Sequence, residues 1–192
     1  MRFLKNLFAL IGVVAVLGGI YGYMKFSAAT KDFDPQAMTV YKNMTLKLLE
    51  TGNPAEATVW KRQVKDGLSF DDVDQAIKTV AAEMNIKDVG ALPLGDQVTA
   101  MQGKPWRKLK IYLYCNPLTA AKMIDYSDAF SAYLPCRVSL LEDAKGKLWL
   151  YSLDMDMMIH GGKPLPPDLK KEAEKVKEII LAVLERGAKG EF

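Results

Sequence analysis

The sequence predicts an α+β domain, a two-layer antiparallel sheet with helices on one face, held behind one N-terminal transmembrane helix. Three observations predict it. Residues 7–24 (LFALIGVVAVLGGIYGYM) carry no charge between Lys5 and Lys25. The remainder shows strand and helix patterns in the order β-α-β-β-α-β-β-α. Two apolar runs flank the turn residues Asp143-Ala144-Lys145-Gly146, which reads as a hairpin.

The uncharged run makes a helix about 27 Å long at roughly 1.5 Å per residue, close to the hydrocarbon thickness of a bilayer. Arg2, Lys5 and the small residues Ser27-Ala28-Ala29 would also suit a cleaved signal peptide. Its apolar core exceeds the roughly 7–15 residues of such a peptide and lacks an A-x-A cleavage pattern, so 1–26 is read as a retained anchor. Arg2 and Lys5 precede the span, and Lys25 and Lys31 follow it, a small bias. The short N-terminal tail then stays in the cytoplasm, and the single-pass chain sends its C-terminal domain across the inner membrane into the periplasm. Gly18-x-x-x-Gly22, with Ala15 and Gly19 on the same side, is the small-residue spacing that lets two membrane helices approach. The expected partners are lipid and further copies of the chain.

Residues 27–54 form a stalk and a membrane-proximal amphipathic helix in which Met38, Tyr41, Thr45, Leu48 and Leu49 recur at helical spacing before Gly52-Asn53-Pro54. That helix can pack on the domain, on a sister protomer or on lipid, and protein is the ordinary choice. Residues 55–192 form the compact domain. Residues 57–64 read as a strand, Asp66-Gly67 as a turn, and Ser69 as the N-cap of a helix burying Val73, Ile77, Val80, Ala81 and Met84. Pro93 and Gly95 make 89–98 an irregular edge strand. Residues 109–115 alternate Leu109, Ile111, Leu113 and Cys115 against Lys110, Tyr112 and Tyr114. A helix over 119–133, strands over 137–141 and 147–157, and a long helix from about Asp168 complete the order.

The formal charge of +3 comes from 26 basic and 23 acidic residues scattered along the chain, with no basic stripe, so nucleic acid is not an expected partner. No P-loop, H-E-x-x-H, G-x-S-x-G, dinucleotide glycine pattern, C-x-x-C or C-x-x-C-H occurs.

Tyr112-Leu113-Tyr114-Cys115-Asn116-Pro117, then Tyr133-Leu134-Pro135-Cys136-Arg137-Val138, then Gly146-Lys147-Leu148-Trp149 resemble the C-N-P and L-P-C signatures of the family called domain of unknown function 302. The resemblance spans about 58–188. It implies a small two-layer α+β domain, prone to oligomerise, with a sheet curved like that of the TATA-binding protein, and it lends no activity. Where relatives have a proline-ended strand, this chain continues Leu153-Asp154-Met155-Asp156-Met157-Met158-Ile159-His160-Gly161-Gly162, so special chemistry belongs to this subgroup.

Cys115 and Cys136 are the only cysteines. They are buried packing thiols, contacts to a metal or haem, or a disulfide. Met155, Met157, Met158 and His160 supply thioethers and an imidazole, a set that suits copper, Cu(I) above all, and His with Met is also an axial pair for haem iron. On a strand, Met155 and Met157 share a face with Trp149, Tyr151 and Leu153, which is also what ordinary core packing looks like. His160, the only histidine, follows at the strand's end beside two glycines, where a loop leaves it free to turn toward a cofactor. Tyr112, Tyr114, Trp149 and Tyr151 line a haem cavity if the helix-free face meets a neighbouring protomer. Three functions follow: an oligomeric periplasmic binding protein holding haem or copper, without catalysis or for electron transfer; a cofactor-free accessory subunit of a larger membrane complex; or a thiol redox enzyme using Cys115 and Cys136.

Overall fold

The computed structural model describes residues 2–191. Helix α1 (Arg2–Thr30) outruns the uncharged stretch because nothing in 25–30 stops a helix, and the Thr30 hydroxyl donates back to the Phe26 carbonyl at 2.9 Å. From Leu4 to Thr30 it is long and apolar enough to cross a membrane, and none of it is buried against the rest of the chain. The expected stalk is therefore short. Helix α2 (Ala37–Thr51) stops at Gly52, whose left-handed φ of 64° lets its N–H reach the Leu48 carbonyl at 2.8 Å. One helical turn, α3 (Pro54–Ala57), leads into the sheet.

Five strands, β1 (Val59–Gln63), β2 (Lys87–Leu92), β3 (Leu109–Cys115), β4 (Cys136–Glu142) and β5 (Leu148–Leu153), lie in the order β1-β5-β4-β3-β2 with every neighbouring pair antiparallel. Helix α4 (Phe70–Glu83) starts at a reciprocal cap between Ser69 and Asp72. Residues 94–102, expected to be strand in part, form helix α5 (Leu94–Gln102) instead. Gly95 allows that helix against β3: a Cβ there would sit 2.6 Å from the Arg107 carbonyl oxygen and the Leu109 nitrogen. Helix α6 (Pro117–Tyr126) is capped by the Asn116 side chain and breaks at Ser127 into a 3-10 stretch over Asp128–Tyr133. The β4–β5 hairpin is organised by the Asp143 carboxylate, which accepts the Lys145 and Lys147 N–H groups and the Trp149 indole.

The strand expected over 147–157 ends at Leu153. Asp154 accepts the Asp156 N–H at 2.8 Å, and α7 (Asp156–His160) begins, so Met155, Met157 and His160 lie on no strand. Helix α8 (Pro167–Lys189) covers the sheet beside α4, and Gly187 permits the contact: a Cβ there would meet Ile77 at 3.1 Å and Leu150 at 3.3 Å. Between these helices and the sheet lie Val73, Ile77, Val80, Tyr112, Tyr114, Val138, Leu140, Leu150, Ile180, Val183 and Leu184, all fully buried. Tyr112 and Tyr114 thus face the helices and stack on each other at 6.4 Å, which corrects the expectation that they line a cavity on the open side. Trp149 and Tyr151 alternate with the buried Leu150 and Ser152, so they occupy the opposite face with Ile111, Leu113 and Leu153, all half-buried.

Candidate functional site

The described residues include no group of three or more His, Cys, Asp and Glu that could hold a metal ion. They do include a sulfur cluster. Tyr114 pairs with Cys136 across β3 and β4, which places Cys115, one residue further along β3, beside it. Asn116 and Pro117 start α6 at once, and its inward face brings Thr119 and then Met123 over the strand ends at four-residue spacing. From the other side the Leu153–Asp156 turn delivers Met155, and α7 adds Met158. Cys115, Cys136, Met123, Met155 and Met158 line one cavity of about 20 Å³, closed by Leu134, Ala173 and Val176. That is room for one water-sized guest. Its other polar side chains are engaged: Asn116 accepts the Thr119 N–H at 3.2 Å, and the Thr119 hydroxyl donates to Glu172 at 3.1 Å.

Both cysteines are free thiols. Burial pushes the Cys136 thiol up to about 11, and burial likewise raises Cys115 despite the nearby Lys87 ammonium. A thiol for exchange chemistry needs the opposite shift, so these two thiols are not activated as nucleophiles.

Met157 misses this cavity and lines two larger grooves of about 290 and 410 Å³. His160 is also elsewhere. It is 2% exposed, inside a helix and not on a free loop, with Nδ1 3.5 Å from the Asp34 carboxylate and Nε2 4.0 Å from Glu174. Asp34, in the expected stalk, is fully buried: it accepts Lys170 Nζ at 2.5 Å and the Gln36 N–H at 2.9 Å, and its own N–H donates to the Gly162 carbonyl at 2.7 Å. Burial alone would raise the Asp34 carboxyl, but the Lys170 and Gln36 hydrogen bonds and the Lys170 charge hold it below the usual carboxylate range. Of the residues read from the sequence, the structure brings together Cys115, Cys136, Met155 and Met158. His160, Met157, Tyr112 and Tyr114 lie outside the cluster, and Met123 joins it unforeseen.

A family model described as domain of unknown function DUF302 matches residues 60–187, which contain the whole cluster. The chain belongs to the DUF302 family. The crystal structure of an uncharacterized conserved DUF302 protein from Bacillus stearothermophilus superposes with a TM-score of 0.53 at 16% identity, covering 67% of this chain and 97% of that one. At that identity the likeness shows the fold, the α+β DUF302 architecture. No curated protein matches the chain. Residues 1–59, with the apolar helix, lie outside the family match.

Proposed function

We propose that this DUF302 chain is a membrane-anchored Cu(I)-binding protein, its domain in the periplasm and several copies together, with the ion held by Cys115, Cys136 and the thioethers of Met123, Met155 and Met158. The carrying observation is one small cavity lined by two cysteines and three methionines. Thiolate and thioether are soft donors, and a set without imidazole or carboxylate favours Cu(I) over harder ions. Two thiols binding one Cu(I) lose two protons and leave a net charge of −1, which Lys87 beside Cys115 and Arg137 beside Cys136 offset. Haem loses its support, because His160 is packed against Asp34 and the cavity admits no macrocycle. The half-buried apolar side chains on the open sheet face, together with Gly18 and Gly22 in α1, support association of copies.

The test is a competition titration of the full chain in detergent against a chromophoric Cu(I) chelator. One ion per chain is expected, with affinity rising about tenfold per pH unit for each thiol that deprotonates on binding. The Cys115→Ser, Cys136→Ser double variant should lose the ion, and Met123→Leu, which keeps the volume, should weaken it. Failure of the parent protein to hold Cu(I), or equal retention by the double variant, would overturn copper binding here and favour the accessory-subunit reading.

A further inference from the structure

Helix α2 packs on α3 and α7 and buries only Ala37. At about 100° per residue, Met38, Leu46, Leu48 and Leu49 fall within one arc of about 160°. All four are exposed, Leu49 at 76% and Leu46 at 54%. The opposite side, with Val40, Met44 and Lys47 half-buried and Gln36, Thr39 and Asn43 beside them, faces the groove against β1. Helix α2 therefore turns one apolar side to the protein through Ala37, Val40 and Met44 and leaves a second apolar side outward.

The position of this helix says what covers it. Only residues 31–36 separate the end of α1 from the start of α2, a reach of at most about 20 Å. That linker is pinned to the domain by the buried Asp34–Lys170 pair and the Asp34 N–H to Gly162 bond, and α2 itself by the Tyr41 hydroxyl donating to the Gly161 carbonyl at 2.6 Å. The end of the membrane helix and the start of α2 are thus held at one end of the domain. We infer that α2 lies in the bilayer interface with its Met38–Leu49 side in the acyl boundary, seating the domain directly on lipid. This rests on α1 spanning the membrane. The apolar arc is broader than a two-helix seam, and Lys42 within it can lie along the apolar surface and place its ammonium among headgroups, as interfacial helices allow. A second copy of α2 would have to bury that charge.

The test places Leu49→Trp in the full chain, in vesicles of phosphatidylethanolamine and phosphatidylglycerol with or without acyl-brominated phosphatidylcholine. Emission is read as the increment over the parent, which has Trp60, Trp106 and Trp149. Most of the added emission should be lost to the brominated lipid and be insensitive to aqueous acrylamide. Quenching by acrylamide but not by bromine, or protection from both, as contact with a second copy would give, overturns the inference. Vesicle flotation keeps the two readings apart: a chain that floats with an aqueous Trp retains the anchor and loses the interfacial helix, whereas one that fails to float loses both. Leu49 makes little packing contact, so the variant should fold, and Leu46→Trp repeats the test one turn away.

Discussion

Replacing Tyr112 by alanine is expected to destabilise the domain by about 3–5 kcal/mol, the cost of emptying a buried aromatic position. Tyr112 has no exposed surface, stacks on Tyr114, and donates its hydroxyl to Asp74 on α4, which also binds Lys78 and Lys110 at 2.6 and 2.7 Å. Burial first, and then the Asp74 hydrogen bond, raise its phenol far above the ordinary tyrosine range, so it stays a neutral donor at any physiological pH. Tyr112→Phe should cost about 1–2 kcal/mol, because Asp74 keeps its two lysines while one hydrogen bond is lost. Chemical denaturation of the full chain in detergent measures both. A cost below about 1 kcal/mol for Tyr112→Ala would mean that this side chain does not face the helices.

Removing Lys170 should have the next largest effect. Lys170→Met leaves the Asp34 carboxylate buried without its cation, and a loss of about 2–4 kcal/mol at pH 7 is expected, at the lower end because Lys170 keeps some exposure. The sign of the pH dependence follows from Asp34. In the parent its carboxyl is lowered, so its contribution is present above the unfolded value and is lost as pH falls through the folded one. In the variant, burial is left as the largest influence and raises the same carboxyl. Proton uptake then favours the folded form, and the gap between variant and parent should narrow as pH falls from 7 to 5. A gap that is constant with pH would show that Asp34 is not a buried carboxylate.

The sheet was legible because its strands alternate and its turns carry their own chemistry, as at Asp143. The inward face of β3 was harder to read. Leu109, Ile111 and Leu113 outnumber the apolar residues on the other side, yet the two tyrosines bury more area and one phenol has Asp74 waiting on α4. The run from Leu153 to His160 is ambiguous by period, since short apolar segments suit strand or helix. What decides it is Asp154, whose side chain caps the Asp156 N–H and turns the chain. Asp34 carried no local signal, because its partners lie more than 120 residues away at His160 and Lys170. The sulfur cluster was half legible. Its two cysteines and Met155 and Met158 stand out by type, but Met123 becomes their neighbour only through β3–β4 pairing and the immediate start of α6. A spacing of four from Cys115 to Thr119 and again to Met123 was the one available hint.

Copper K-edge X-ray absorption of the Cu(I)-loaded full chain reads the donor atoms around the bound ion. A first shell of sulfur alone is expected, unchanged in His160→Ala and lost in the Cys115→Ser, Cys136→Ser variant. A shell containing nitrogen, or one that changes when His160 is replaced, would contradict copper binding in the cavity between β3, β4, α6 and α7.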